Sequence, residues 1–251
     1  MSTWMVRVWV CLCVLQLPLF GELNGPPIFR TGTPVDGGRD CTVCHFTFRP
    51  ANSDPRGRLI LQAGYYTPGV KQTIRVRIEH PEAMRWGFSM TARLASDERQ
   101  KAGTFTATDD IRVRCAPDER DAPCGDDVEF ASHRRPSTSP GTPFGKTFEV
   151  EWTPPTTDAG DIVFYAGGNA ANNNSSFTGD RIYTISYRIS SCSFAGRPTI
   201  AAVASAASGE PGLAVNSMIS LFGTGFAPAG RPGALARLDA DGAISRELAC
   251  L

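Results

Sequence analysis

Hydrophobic and polar residues alternate along much of the middle of this chain. The segment QTIRVRIEH places Ile74, Val76 and Ile78 on one face and polar or charged residues on the other. A period of two predicts a half-buried antiparallel strand. The same pattern recurs in WGFSMTARL, DIRVRC, KTFEVEW and RIYTISYRI. The residues predicted to face inward in these segments are Phe88, Met90, Ala92, Leu94, Ile111, Val113, Cys115, Phe148, Val150, Trp152, Tyr183, Ile185, Tyr187 and Ile189.

Three more apolar segments, LILQAG, DVEFAS and DIVFYAG, bring the predicted total to roughly eight strands between residues 58 and 190. Turn signals such as TPG, SPGTPFG and PPTTDAG separate the strands, and no stretch has a sustained helical period. Short strands joined by turns predict an all-β antiparallel sandwich. Four aromatic residues at alternating strand positions are interpreted as part of its core: Trp86, Trp152, Phe164 and Tyr183.

The two ends of the chain differ from this middle part. An apolar run from Val8 to Phe20 follows Arg7 and is too short for a membrane span. We interpret residues 1–25 as a signal peptide cleaved after Gly21 or Gly25, the alternative being an uncleaved anchor. The mature chain is then secreted or periplasmic and has no membrane span. Residues 197–251, rich in alanine, glycine and serine, form a β-rich appendage or the truncated start of a second β domain.

Charge and motifs exclude several classes of function. The 25 basic and 25 acidic residues cancel, and no basic stripe suggests a nucleic-acid binder. No GxSxG elbow is present and the three histidines lie in unrelated contexts, so we do not expect an enzyme. The stretch GGNAANNNSSFTGD lacks the lysine of a P-loop and the acidic ladder of an EF-hand, and is interpreted as a loop.

The cysteines agree with an exported protein. Cys11 and Cys13 would leave with the signal peptide, and the other six are an even set that an oxidising compartment can pair. The spacing across APDERDAP predicts a disulfide between Cys115 and Cys124. A second bridge could join two cysteines that bracket the C-terminal segment, Cys192 and Cys250. If both form, Cys41 and Cys44 remain for each other or for a cofactor.

Several motifs, in order, carry a resemblance to a known family: RTGTPVDGGRDCTVCHF, YTPGVKQTIRVRI, RWGFSMTARL, AGTFTATD, SHRRPSTSPGT, FEVEWTPP and IVFYAGGNAANNNSSFTGDRIYT. Together they resemble the bacterial branch of the reelin-domain family, the Reeler-like modules also described under choice-of-anchor proteins. The resemblance covers residues 30–188. It implies an exported protein with an immunoglobulin-like sandwich, which we place at residues 58–192. The tail from Pro198 resembles the start of a C-terminal domain of exported acidobacterial proteins, but stops where that domain continues.

The N-terminal loop, residues 26–57, carries the motif CTVCH. In c-type haem attachment two thiols bind the vinyl groups and the adjacent histidine ligates the iron, which assigns Cys41, Cys44 and His45 to these roles. The alternatives are a plain disulfide or a metal site. Zinc is the weakest alternative, because a structural site needs four ligands and no second pair follows at the required spacing.

A haem iron can take a second axial ligand from the protein, and His133 is a weak candidate. Reelin-domain relatives without haem carry a histidine at this position, which favours a hydrogen-bonded loop histidine instead. Met84 and Met90 are the nearest methionines, and Met90 is interpreted as core. The sixth position is then vacant or holds water.

The sequence therefore predicts an exported Reeler-like protein with one haem c, acting in extracytoplasmic electron transfer or haem-based sensing with an unidentified redox partner. The alternative is a haem-free extracellular binding or adhesion module whose cysteines are all structural disulfides and whose ligand is a protein or a carbohydrate.

Overall fold

A computed structural model describes residues 22–192, 199–211 and 218–224 of the chain. Its strands are β1 (Arg58–Gln62), β2 (Gln72–His80), β3 (Arg85–Leu94), β4 (Asp97–Lys101), β5 (Thr104–Phe105), β6 (Ile111–Cys115), β7 (Glu129–His133), β8 (Phe144–Thr153), β9 (Ile162–Ala171), β10 (Arg181–Ile189), β11 (Thr199–Ser205) and β12 (Ile219–Thr224). Short 3₁₀ turns lie at Pro34–Asp36, Cys41–Val43 and Arg135–Thr138. All eight predicted strands of the sandwich are confirmed. The sequence pattern missed β4 and β5, because DERQK is polar throughout and β5 has two residues.

The strands form two packed antiparallel sheets, which confirms the predicted immunoglobulin-like sandwich. The first sheet has the order β1-β2-β8-β5. The second has the order β10-β9-β3-β7-β6, with β4 paired to β3. Inward-facing residues of both sheets build one continuous core. The largest of them include the four aromatic residues predicted for it, all buried: Trp86, Trp152, Phe164 and Tyr183.

In the first sheet the predicted alternation holds. Ile74, Val76 and Ile78 are fully buried, while the residues between them are exposed or partly exposed. On the outer face Arg75 lies opposite Glu149 of β8 and donates to its carboxylate at 3.1 Å. Such cross-strand pairs of opposite charge favour this register, although exposed pairs contribute little stability.

The second sheet differs from the prediction, because β3 is buried on both faces. Phe88, Met90 and Ala92 face the core as predicted, and Leu94 is half-buried. The intervening residues are also buried, and even the long side chain of Arg93 is only 2 % exposed. The prediction of a half-buried strand is wrong here, since the N-terminal segment covers the outer face of this sheet.

The cysteine pairing agrees with the sequence where the structure describes it. Cys115 at the end of β6 is bonded to Cys124, which confirms the predicted disulfide. Cys192 is also disulfide-bonded, while Cys250, its predicted partner, lies outside the described residues. Cys41 and Cys44 are free thiols.

The predicted C-terminal appendage is described only in part. β11 and β12 pair antiparallel, and β12 contains the apolar stretch ISLF. Most of the predicted signal peptide, residues 1–21, lies outside the described residues. Within the ranges that the structure describes, no helix is long and apolar enough to cross a membrane.

Candidate functional site at the CxxCH loop

The N-terminal segment lies directly on the outer face of the second sheet. Gly168 of β9 faces the core and contacts Ile78, so the neighbouring Gly167 faces outward. A Cβ atom on Gly167 would lie 2.6 Å from the carbonyl oxygen of Arg30 and 3.4 Å from the sulfur of Cys41. Only glycine permits this approach, which brings the CxxCH loop against the sheet.

Local hydrogen bonds shape the motif itself. Asp40 caps the 3₁₀ turn Cys41–Val43, since its Oδ1 accepts from the amide of Thr42 at 2.7 Å. The amide of His45 donates to the carbonyl of Cys41 at 2.9 Å, which folds the histidine back toward the first cysteine. The motif therefore occupies one compact turn in a loop, as predicted.

The two thiols lie in different environments. Cys41 is buried, and its thiol donates a long hydrogen bond of 3.7 Å to the carbonyl of Arg30. Burial raises the pKa of the Cys41 thiol to about 12, so the thiol stays protonated in the folded protein. Cys44 is half-exposed, and no disulfide joins the two.

His45 is held by a buried carboxylate. Its Nδ1 lies 2.6 Å from Oδ2 of Asp180, whose side chain is 2 % exposed. The other carboxylate oxygen of Asp180 accepts from the amide of Asn172 at 3.1 Å, which fixes the orientation of the carboxylate. The ring of Phe177 packs edge-on against the imidazole at 5.1 Å. Because Nδ1 donates to the carboxylate, Nε2 is the acceptor nitrogen of the ring, and the side-chain amide nitrogen of Asn169 lies 3.4 Å from it.

A cleft of about 240 Å³ opens beside the motif. Cys41, Cys44 and His45 all line it, and so does His133 from the end of β7. Its walls also include four partly exposed apolar side chains, Leu23, Pro26, Pro27 and Phe177, whereas Trp86 and Phe88 border it with side chains that are buried in the core. The structure thus brings together all four residues that the sequence proposed for a haem site.

His133 lies at the end of a strand and not in a loop, which corrects the prediction on that point. Its Nδ1 is 2.9 Å from the amide of Phe88, and its Nε2 is 3.3 Å from the carbonyl of Glu22. A Cβ atom on Gly87 would lie 2.8 Å from the imidazole, so glycine is needed for the ring to pack there. Burial lowers the pKa of His133, which keeps the ring neutral at pH 7. Met90 is fully buried in the core, as predicted.

Several polar atoms in the cleft lack partners. Five buried side-chain nitrogen or oxygen atoms of the described residues make no hydrogen bond, and three belong to cleft residues: Nε of Arg30, Nε of Arg85 and Oδ1 of Asn169. Buried polar groups in folded proteins are nearly always satisfied, so these three atoms are exceptions, each closed off from solvent within a residue that borders the cleft. The two free thiols and the imidazole of His45 thus lie together at one cleft with partly apolar walls. No group of three or more metal-binding side chains occurs among the described residues.

The stretch GGNAANNNSSFTGD is only partly the loop that the sequence predicted. β9 continues through Ala171, so its first half is strand. The loop that follows supplies Asn174, Ser176 and Phe177 to the wall of the cleft and ends at Asp180. Sequence analysis missed Asp180, and no local signal could have found it, because 135 residues separate it from His45.

A second anchor holds the end of the N-terminal loop to β10 and β2. The carboxylate of Asp54 accepts from Arg56 at 2.7 Å, from Arg181 at 2.9 Å and from Nε2 of His80 at 3.2 Å. These contacts, and the hydrogen bonds from Arg56 above all, hold the pKa of Asp54 far below its usual range.

We expect Asp54→Asn to destabilise the fold by about 1.5–3 kcal/mol at pH 7, since charge-assisted hydrogen bonds are lost. The depressed pKa of Asp54 makes this contribution fully present above the unfolded value of about 4 and lost as the pH falls below it. Urea unfolding at a series of pH values should show the gap between wild type and variant closing toward pH 2. The surface variant Asp126→Asn is the control, and a gap independent of pH would contradict the expectation.

Comparisons with known proteins place few constraints on the chain. No family model matches it, and no curated protein does. Among solved structures it is similar to the human F-spondin reeler domain, at 18 % identity and a TM-score of 0.33 over 54 % of this chain and 89 % of that one. It is also similar to the seventh ScaB type I cohesin from Pseudobacteroides cellulosolvens, at 8 % identity and a TM-score of 0.31 over 54 % and 91 %. Likenesses at this level carry no argument about function.

Proposed function

We propose that this protein carries one haem c in the cleft and acts in extracytoplasmic electron transfer or haem-based sensing. One observation supports the proposal. Two free thiols and an imidazole held by a carboxylate, all from the motif CTVCH, line the same cleft. A CxxCH spacing by itself can arise by chance in a sequence of this length. Its placement in a cleft with apolar walls and unsatisfied polar atoms does not follow from the spacing.

Each residue has a definite role in this proposal. Cys41 and Cys44 hold the group by thioether bonds, formed as each S–H adds across a vinyl double bond without loss of atoms. His45 would ligate the iron through Nε2, while Asp180 holds the ring through Nδ1. When bound, the haem supplies one-electron redox chemistry. Because the sulfur of Cys41 is buried in the folded chain, attachment would have to take place before this loop folds.

The second axial position is open in our proposal. Both ring nitrogens of His133 lie within hydrogen-bond distance of backbone groups, which supports the structural role. Met90 is fully buried in the core and does not line the cleft. Of the candidates considered for the iron, His45 alone would then remain as a protein ligand.

We propose the following organisation of the chain: a signal peptide at 1–25, a haem-binding loop at 26–57, a sandwich at 58–192 and an appendage at 197–251. The buried ion pair between Asp36 and Arg93 supports treating the loop and the sandwich as one folding unit. Export is supported by the disulfide between Cys115 and Cys124, which forms in oxidising compartments.

The test is export of the full chain from a host with cytochrome c maturation machinery, followed by an absorption spectrum and an intact mass. A Soret band, reduced c-type peaks and a mass increase of one haem are expected. A colourless protein of unmodified mass would overturn the proposal.

The contacts of His45 with Asp180 give a prediction that rests on this function. Asp180→Asn keeps the shape of the side chain but removes its charge, so the ferric state loses stabilisation. We expect the equilibrium constant for reduction to rise at least about tenfold, which is roughly 59 mV for one electron. A redox titration measures it, and Asp126→Asn, an exposed carboxylate, controls for charge alone. An unchanged potential would contradict the assigned role of Asp180.

A second candidate is a haem-free extracellular binding module. The buried thiol of Cys41 favours it, since its hydrogen bond to the Arg30 carbonyl is also what a structural cysteine would make. The colour and mass of the exported protein decide between the two.

A further inference from the structure

Two arginines without an acidic partner line the cleft. Arg30 precedes the CxxCH loop, and Arg85 begins β3. The Nε atom of each is buried and has no hydrogen-bond partner. Arg30 donates from Nη1 to the backbone carbonyl of Phe29 at 3.0 Å, but within residues 22–192 neither arginine forms an ion pair.

The carboxylates of the cleft do not neutralise these two cations. Asp180 is committed to His45, and the exposed Glu22 forms no ion pair with either arginine in the described part of the chain. Elsewhere the protein pairs its poorly exposed arginines with acids, in Arg93–Asp36, Arg114–Glu119 and Arg181–Asp54. Arg30 and Arg85 therefore depart from how this chain handles buried guanidinium groups.

The geometry of the guanidinium group indicates which ligand would satisfy them. Its Nε–H and Nη–H together form a fork that binds a carboxylate through two parallel hydrogen bonds. Leu23, Pro26 and Phe177, all partly exposed, supply apolar surface in the same cleft. The combination fits an apolar molecule that carries two carboxylates.

We propose that Arg30 and Arg85 bind the carboxylates of a ligand whose apolar body occupies the cleft. The inference rests on the proposed function, in which that ligand is the attached haem and the carboxylates are its two propionates. It does not require covalent attachment, because the arginines and the apolar walls are separate from the thiols.

The experiment uses the full chain with Cys41→Ala and Cys44→Ala, which cannot attach haem. Protoporphyrin IX and its dimethyl ester, which lacks the free carboxylates, are titrated into the protein and followed by fluorescence. We expect the dicarboxylate to bind at least about tenfold more tightly than the ester. Adding Arg30→Gln and Arg85→Gln should remove this preference, whereas Arg39→Gln, an exposed arginine of the same segment, should keep it.

The outcomes separate this inference from the proposed function. Equal binding of the two porphyrins, or a preference that survives both arginine substitutions, would overturn it even if the exported wild type carries haem. If the exported wild type is colourless but the cleft still prefers the dicarboxylate, the carboxylate-binding site is supported and the proposal of covalently attached haem is contradicted. Circular dichroism checks folding, and if the double arginine variant does not fold, each single variant should show a reduced preference.

Discussion

Alanine at both Cys41 and Cys44 is expected to abolish covalent haem attachment completely. The effect is all or none, because these are the two thiols of the motif and no other free cysteine occurs in the described chain. After export from a maturation-competent host, the variant should lack the c-type peaks and the mass of one haem. Denaturing electrophoresis with a stain for covalent haem gives an independent measurement.

A variant with the same number of cysteines removed provides the control. Cys115→Ala with Cys124→Ala opens the disulfide and should destabilise the fold by about 2–3 kcal/mol, given the short loop it closes. It should nevertheless keep the attached haem, because neither sulfur lies at the motif. Equal loss of haem in both variants would show that attachment reports general misfolding and not the chemistry of Cys41 and Cys44.

The sequence pattern predicts strands well where one face meets the core and the other meets water. β2 is such a strand, and its alternation of Ile74, Val76 and Ile78 with charged residues follows from its own position. β3 is not, because its outer face lies beneath the N-terminal segment. Nothing within WGFSMTARL records that cover, so Arg93 resembles a solvent-facing residue although it is 2 % exposed.

In β9 two glycines led the sequence pattern to predict a loop where the structure has a strand. The pair Gly167 and Gly168 suggests a loop, yet both residues lie in the strand. Gly168 closely approaches Ile78 on the core side, and Gly167 approaches the backbone of Arg30 on the other. Glycine is needed there for close packing on two sides and not for turning, which a single sequence cannot distinguish.

In the candidate site, too, some residues could be predicted from the sequence and others could not. The spacing of Cys41, Cys44 and His45 is local and could be predicted. Two residues that lie beside the motif in the structure, Asp180 in the loop before β10 and Arg85 at the start of β3, are distant from it in sequence and carry no motif. Only the topology, which pairs β9 with both β3 and β10, brings them to one cleft.

The buried ion pair of Asp36 and Arg93 joins the N-terminal segment to β3, and so bears on the stability of the fold. The carboxylate Oδ2 of Asp36 lies 2.6 Å from Nη2 of Arg93, beneath the N-terminal segment. Burial raises the pKa of Asp36 and lowers that of Arg93, so both groups are poorly solvated. Such a pair contributes little net stability against an apolar replacement, yet removal of one partner leaves a buried charge alone.

Asp36→Ala is therefore expected to cost about 3–5 kcal/mol of unfolding free energy. Urea unfolding at pH 7 in the haem-free Cys41→Ala, Cys44→Ala background measures it without a contribution from the cofactor. The double variant Asp36→Ala with Arg93→Met should recover most of the loss, since no charge then remains without a partner. If the double variant is as unstable as the single one, the segment is held by its packing on the sheet, and the ion pair does not anchor the CxxCH loop.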